Sequence, residues 1–164
     1  KKQLGKRILE VGNVISHYKT TTWDVLDKFE KDKGVINKDI VDFKPLEKYD
    51  LIASIYTFEH IGNDDETSGN SAEKIMDAFK NISENCLKRD GMFIMTAPID
   101  YNPSMDKLII NNAFGFQKTT FMKRFARRQW KEVSKDEAMG CYYGKPFPYA
   151  NAIMIGFYSP HLKR

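Results

Sequence analysis

The sequence predicts an α/β domain organised around a mostly parallel β-sheet. Short apolar runs alternate with polar turns and with one stretch of clear helical spacing, the pattern of strands interleaved with helices. The run Tyr49-Asp50-Leu51-Ile52-Ala53-Ser54-Ile55 is nearly continuous in apolar character. Continuity of that kind suits a central parallel strand covered on both faces. No internal repeat or low-complexity segment interrupts the pattern.

Taken in order, Arg7-Ile8-Leu9-Glu10-Val11 reads as a buried strand ended by Gly12. Residues 23–26 form a second strand ending at Asp27, and Gly34-Val35-Ile36-Asn37 begins a third ending near Asp39. Tyr49 to Ile55 is the fourth. Residues 61–70 form a polar loop, and a helix follows, capped by Asn70 or Ser71 with Glu73 in its first turn. Its buried face is Ile75, Met76, Phe79, Ile82, Cys86 and Leu87, with Lys88 and Arg89 near its end complementing the dipole. Asp90-Gly91 turns into a fifth strand, Met92-Phe93-Ile94-Met95-Thr96-Ala97, which Pro98 stops. Residues 99–117 read as an irregular excursion with short helical pieces, 119–125 as a sixth strand and 126–138 as a helical or turning segment. Residues 151–158 make the last strand.

At 164 residues, 41% hydrophobic and 29% charged, the chain fits one domain, residues 1–164, with a sizeable core. No apolar run approaches the roughly 20 residues that span a bilayer, and no signal peptide is visible. The first residue is lysine, so the reading allows for a missing beginning. Cys86 and Cys141 lack metal-ligand spacing, and Cys86 reads as a small buried hydrophobe, a usage that suits a reducing cytoplasm. The net charge of +4 is mild, but Lys118, Lys123, Arg124, Arg127, Arg128 and Lys131 crowd one stretch. That stretch reads either as a solvated face or as a footprint for RNA, phosphate or an acidic partner.

In open parallel sheets, ligands bind outside the carboxyl ends of the strands. The residues there are Glu10 to Asn13, Asp27, Asp39-Ile40, Tyr56 to His60, and Pro98 to Asn102. Carboxylates end three successive strands, and a carboxylate so placed accepts both hydroxyls of a ribose or an adenine amino group. Glycine after the first strand permits close backbone approach.

The ordered series Ile8-Leu9-Glu10-Val11-Gly12, Val25-Leu26-Asp27, Asn37-Lys38-Asp39-Ile40, Tyr49-Asp50-Leu51-Ile52, Phe58-Glu59-His60-Ile61 and Asp90-Gly91-Met92-Phe93-Ile94 resembles the class I S-adenosylmethionine-dependent methyltransferases. The resemblance covers roughly residues 5 to 100. It implies a Rossmann-like fold: a mostly parallel seven-stranded sheet, the last strand antiparallel between the fifth and sixth, with helices on both faces. It implies S-adenosyl-L-methionine as cofactor, with Glu10, Gly12 and Asn13 near its methionine end and Asp27 on the ribose. Asp39 and Ile40 would frame the adenine, and Tyr56 and Thr57 would line the amino-acid part and open onto the acceptor. Glu59, Tyr101 and Asn102 are candidates for an acceptor pocket.

The turn Gly12-Asn13-Val14-Ile15-Ser16-His17-Tyr18 lacks the family's second and third glycines, and the segments between the first three strands are short. Either the cofactor loop is rebuilt around Asn13, Ser16 and His17, or cofactor binding is weak or lost. His60 is a candidate general base or a structural histidine, and Asp64, Asp65 and Glu66 read as a solvated loop rather than a cation site. Tyr142-Tyr143 and Phe147-Pro148-Tyr149 read as a pocket wall, an interface or core, with core and cofactor-side packing preferred. The leading expectation is a methyltransferase acting on a small-molecule, glycan or other polar acceptor, without membrane contact. The rivals are a catalytically silent binding or scaffold domain of the same fold and an RNA-binding or RNA-modifying protein using residues 118–131.

Overall fold

A computed structural model describes residues 5–63 and 71–162. Four strands come first: β1 (Ile8–Val11), β2 (Asp24–Asp27), β3 (Val35–Asn37) and β4 (Tyr49–Ile55). Helix α1 (Ser71–Asn81) leads through a π-helical turn, Ile82–Cys86, into β5 (Leu87–Pro98). Then follow α2 (Pro103–Ile110), β6 (Lys118–Ala126), β7 (Gln129–Val133), α3 (Lys135–Met139) and β8 (Ala152–Tyr158). They form one sheet in the order β3-β2-β1-β4-β5-β8-β6-β7. The pairs among β1 to β5 are parallel; β8 runs antiparallel to both β5 and β6, and β6 antiparallel to β7. After β3 the chain returns to place β4 on the other side of β1, so a crevice opens above the ends of β1 and β4.

The antiparallel last strand lies between the fifth and sixth as expected, but the strands number eight. The segment expected to be helical or turning holds β7, because Arg128 adopts φ 63° and folds 129–133 back onto β6. The helix expected to reach Leu87 and Lys88 changes to π-helical geometry after Asn81 and ends at Cys86, and Lys88 to Gly91 bulge between the Tyr49–Leu87 and Leu51–Met92 pairs of one continuous β5. Asp90-Gly91 therefore lies within a strand rather than before one. The proposed cap Asn70, and Asp64, Asp65 and Glu66, lie outside the described residues.

Alternation along the strands separates two unlike faces. Leu9, Ile52, Phe93, Met95, Met154 and Tyr158 point to one side and form the core with the helices. Phe79 of α1 is its hub, with its ring 5.0 Å from Tyr158, 5.3 Å from Phe114 and 6.1 Å from Phe93. Leu51, Ile55, Ile94, Ile153, Ile155 and Phe157 point the other way and are half-buried. The expectation of helices on both faces, and of a fourth strand covered on both, is corrected among the described residues. All three α-helices pack on the core face, while a loop with a 3-10 turn at Ile15–His17 covers β1 and β2 on the other. The connections between the first three strands are too short for more.

Candidate functional site

A cleft of about 260 Å³ opens at the carboxyl ends of β1 to β4. Gly12, Asn13, Asp27, Asp39, Ile40, Tyr56 and Thr57 line it, so seven residues expected at a cofactor converge there. Gly12 has φ 87°, a region favourable only to glycine, and a Cβ on it would press within 2.8 Å of Thr57 Cγ2. Thr57 is held in turn by donating its hydroxyl to the Ile55 carbonyl at 3.0 Å. The close approach of these two turns gives the cleft its floor.

Glu10 does not line the cleft. It is 1% exposed beneath the turn, where Oε1 accepts the backbone N–H groups of Val14 (2.8 Å) and Ile15 (2.5 Å) and Oε2 accepts the Trp23 indole N–H (3.1 Å). A buried carboxylate needs such partners, and these three close the loop that replaces the missing glycines. The Ser16 hydroxyl bonds to the Asn13 side chain and tightens the same loop. His17 points outward to Glu30 at 3.4 Å and does not line the cleft.

Asp27 starts the next wall. Its Oδ1 accepts the N–H groups of Phe29 and Glu30, both at 2.8 Å, and its Oδ2 accepts that of Asn13 at 3.3 Å. Asn37 braces this turn by donating to the carbonyls of Asp27, Lys28 and Glu30. Asp39 caps the following turn through the Val41 N–H and pairs with Lys28 (3.2 Å) and Lys74 (3.7 Å). Those two lysines, Lys38 and the 66%-exposed Phe29 also line the cleft, and sequence reasoning had missed them. The Asp39-Ile40 wall is anchored from behind by Asn81 at the end of α1, whose buried amide donates to the Ile40 and Phe43 carbonyls at 2.7 Å each. Asn81 was also missed, since a polar residue in a helix gives no sign of a buried role.

Beyond β4 the chain kinks. Tyr56 has φ 50°, a strained value for a side-chain-bearing residue, and its N–H donates to the Thr96 carbonyl at 3.2 Å. Tyr56 and His60 form a shared wall between the cleft and a second cavity of about 350 Å³. The second cavity is bounded by Tyr101, Trp130, Tyr143 and Tyr149, with the buried Glu59 and the half-buried Arg124 also in its lining. Burial, then the charge of Glu59, then Tyr143 push the Tyr56 phenol up to about 12, so it stays neutral. The Tyr101 hydroxyl and His60 Nδ1 are 3.3 Å apart, and the Tyr101 ring stands edge-on to Tyr143 at 5.0 Å.

Of the acceptor candidates, Glu59 and Tyr101 line this cavity and Asn102 does not. Asn102 caps α2 by accepting the Ser104 and Met105 N–H groups, and its amide donates to the Glu59 carbonyl at 2.7 Å. It holds Glu59 in place from behind. Of the readings open to the aromatic cluster, the preferred core placement is corrected and the pocket wall holds: Tyr142 and Tyr149 are exposed, and Tyr143 and Tyr149 wall the cavity. Trp130 had no candidate role because β7 was not foreseen.

No protein-family model matches the chain, and no curated protein matches its sequence. Solved structures do match its fold. The N-methyltransferase NodS from Bradyrhizobium japonicum WM9, in complex with S-adenosyl-L-homocysteine, aligns with 93% of this chain and 76% of its own at 13% identity and a TM-score of 0.53. A TehB-like S-adenosylmethionine-dependent methyltransferase from Corynebacterium glutamicum aligns with 94% of this chain and 80% of its own at 15% identity and a TM-score of 0.51. The chain has the fold of the class I S-adenosylmethionine-dependent methyltransferases.

Proposed function

We propose that the protein transfers a methyl group from S-adenosyl-L-methionine to a small polar acceptor, a glycan among them. The observation that carries this reading is the pair of cavities sharing Tyr56 and His60 at the carboxyl edge. One has the chemistry for a nucleoside and the other is a separate entrance for a second substrate. Methyl transfer from a sulfonium needs such an arrangement more than it needs a dedicated catalytic group, because alignment of donor and acceptor supplies much of the rate.

The residues of the cleft fit the cofactor. The missing Cβ at Gly12 lets the Thr57 side chain pack against its backbone and set the floor on which the ligand would rest. Asp27 would take the ribose hydroxyls, while Ile40, Asp39 and the exposed Phe29 would frame the adenine. Asn13, Tyr56 and Thr57 would line the amino-acid part. Glu10 would act indirectly, by shaping the loop beneath it. The donor supplies an activated methyl group; His60 would accept a proton where the acceptor must lose one.

Two observations bear on the rivals. The basic segment forms the β6–β7 hairpin, where Lys123 and Lys131 turn to the core face and pair with Glu137, while Arg124 turns to the other face over Phe147. That division does not favour a continuous nucleic-acid footprint. The silent-domain reading is favoured by the closed loop, in which Glu10 occupies backbone donors of Val14 and Ile15. No described helix is long and apolar enough to cross a membrane, and both cysteines are free.

Calorimetric titration with S-adenosylmethionine and S-adenosylhomocysteine tests the reading. One saturable site is expected for each. A folded chain that binds neither would leave the silent-domain reading in its place.

A further inference from the structure

We infer that the second cavity selects an amine, bound as its ammonium cation at Glu59. The inference rests on the methyl-transfer reading for its reaction but not for its binding chemistry. The walls are rings: Tyr56, Tyr101, Trp130, Tyr143 and Tyr149 all bound one space of about 350 Å³. Aromatic faces carry negative quadrupole charge and attract cations, most strongly where water is excluded. Glu59 lines the same space, 1% exposed, its backbone carbonyl fixed by the Asn102 amide and its Oε1 4.0 Å from His60 Nε2. A carboxylate embedded in an aromatic enclosure favours a positive ligand over a neutral or negative one.

Two basic side chains line this cavity among the described residues: Arg124, and His60 beside Glu59. Arg124 is half-buried, with Nη1 donating to the Pro148 carbonyl at 3.0 Å and its guanidinium 4.8 Å from the Phe147 ring centroid. Its Nε is buried without an acceptor among the described residues. An acidic group on the tail of the amine would meet it, so the cavity offers a carboxylate and a guanidinium to the two charges of one ligand. The Tyr56 phenol stays neutral at physiological pH and adds a ring face but no second anion.

The polarity also suits the chemistry. The ammonium gives up one proton, to His60 or to solvent, and exposes the nitrogen lone pair. The lone pair forms a new N–C bond to the methyl carbon of the sulfonium donor. The C–S bond breaks with its electron pair remaining on sulfur, leaving a neutral thioether and a methylated ammonium. Glu59 and the rings then face a cation again, so the site stabilises charge at both ends of the step.

The test uses choline, its neutral isostere 3,3-dimethylbutan-1-ol, and propionate as an anion control. Each is titrated into the protein while the Trp130 indole N–H resonance is followed by NMR. Choline should bind at least fivefold more tightly than the isostere, and propionate should be the weakest at the Trp130 signal. Glu59→Gln should erase the preference. Because Glu59 is buried, Trp130→Leu on the edge hairpin serves as the second variant, followed at Tyr143, and should weaken choline at least threefold. Equal affinity for choline and the isostere, or tighter binding of propionate, overturns the inference. S-adenosylhomocysteine is titrated into the same samples. Its binding without any cation preference defeats the amine assignment and leaves methyl transfer standing. A cation preference without its binding does the reverse.

Discussion

The cleft over β1 to β4 is shaped by backbone, whereas the cavity beyond it, towards β5 to β8, is shaped by side chains brought from far along the chain. In the first, short turns bind their own N–H groups to Glu10, Asp27 and Asp39, and a glycine lets two loops touch. In the second, rings from β7 and from the loop before β8 close over the end of β4. The difference teaches that a nucleoside-sized cleft in this fold does not need full helices between the early strands. It needs strand ends in register and turns that satisfy themselves. The aromatic cavity has no such local definition and depends on the antiparallel half of the sheet.

Changes that break one region and spare the other sharpen that contrast. Gly12→Val should have the largest effect. A β-branched side chain at φ 87° collides with Thr57 and displaces the cleft floor, so affinity for S-adenosylhomocysteine should fall at least about a hundredfold, with about 1–3 kcal/mol of stability lost to backbone strain. Choline-induced shifts at Trp130 should persist; calorimetry, a thermal melt and NMR check the three parts.

Next comes Asn81→Leu. It strips the Ile40 and Phe43 carbonyls of their buried donor, and the expected cost is about 1–3 kcal/mol in a denaturant titration. Hydrogen exchange should quicken in residues 39–43 before it does in β8. Asp27→Ala and Asp39→Ala should each weaken cofactor binding about tenfold, roughly 1.4 kcal/mol, while the melting transition stays cooperative. Unchanged affinity in both would remove the carboxylates from the site.

The smallest effect is a pH dependence. Burial raises the Asp106 carboxyl above its usual range, with the charge of Asp100 adding to it and the Asp100 N–H opposing it. The folded state therefore takes up this proton more readily than the unfolded chain. The contribution of Asp106 is unfavourable at neutral pH and is relieved as pH falls through the raised value toward the ordinary one. Asp106→Asn should flatten that part of the stability profile, measured by urea unfolding at several pH values, and leave ligand binding at both cavities unaltered.

The parts of this molecule legible in its sequence share a local cause. Gly12, Asp27 and Asp39 each follow an apolar run, and the rule that ligands lie beyond parallel strand ends is enough to bring them together. Glu10 obeyed the same pattern yet lies underneath, because only the folded loop reveals that Val14, Ile15 and Trp23 all need its oxygens. Trp130 and β7 escaped notice for another reason. Gln129-Trp130-Lys131-Glu132-Val133 has little alternation of its own and becomes a strand by pairing with β6. Tyr143 and Tyr149 looked like core because aromatic content says nothing about exposure. The open sheet face was hidden likewise, since half-buried Ile94, Ile153 and Ile155 read the same as buried ones.

The central claim is that a donor in the cleft points its reactive end across the Tyr56–His60 wall. Titrating S-adenosylmethionine carrying a ¹³C-labelled methyl group and recording isotope-filtered NOEs to the protein tests it directly. The account predicts contacts from that methyl group to the ring protons of Tyr56 or His60. Contacts instead to Phe29 or Ile40, at the far end of the cleft, would reverse the donor's orientation and contradict it.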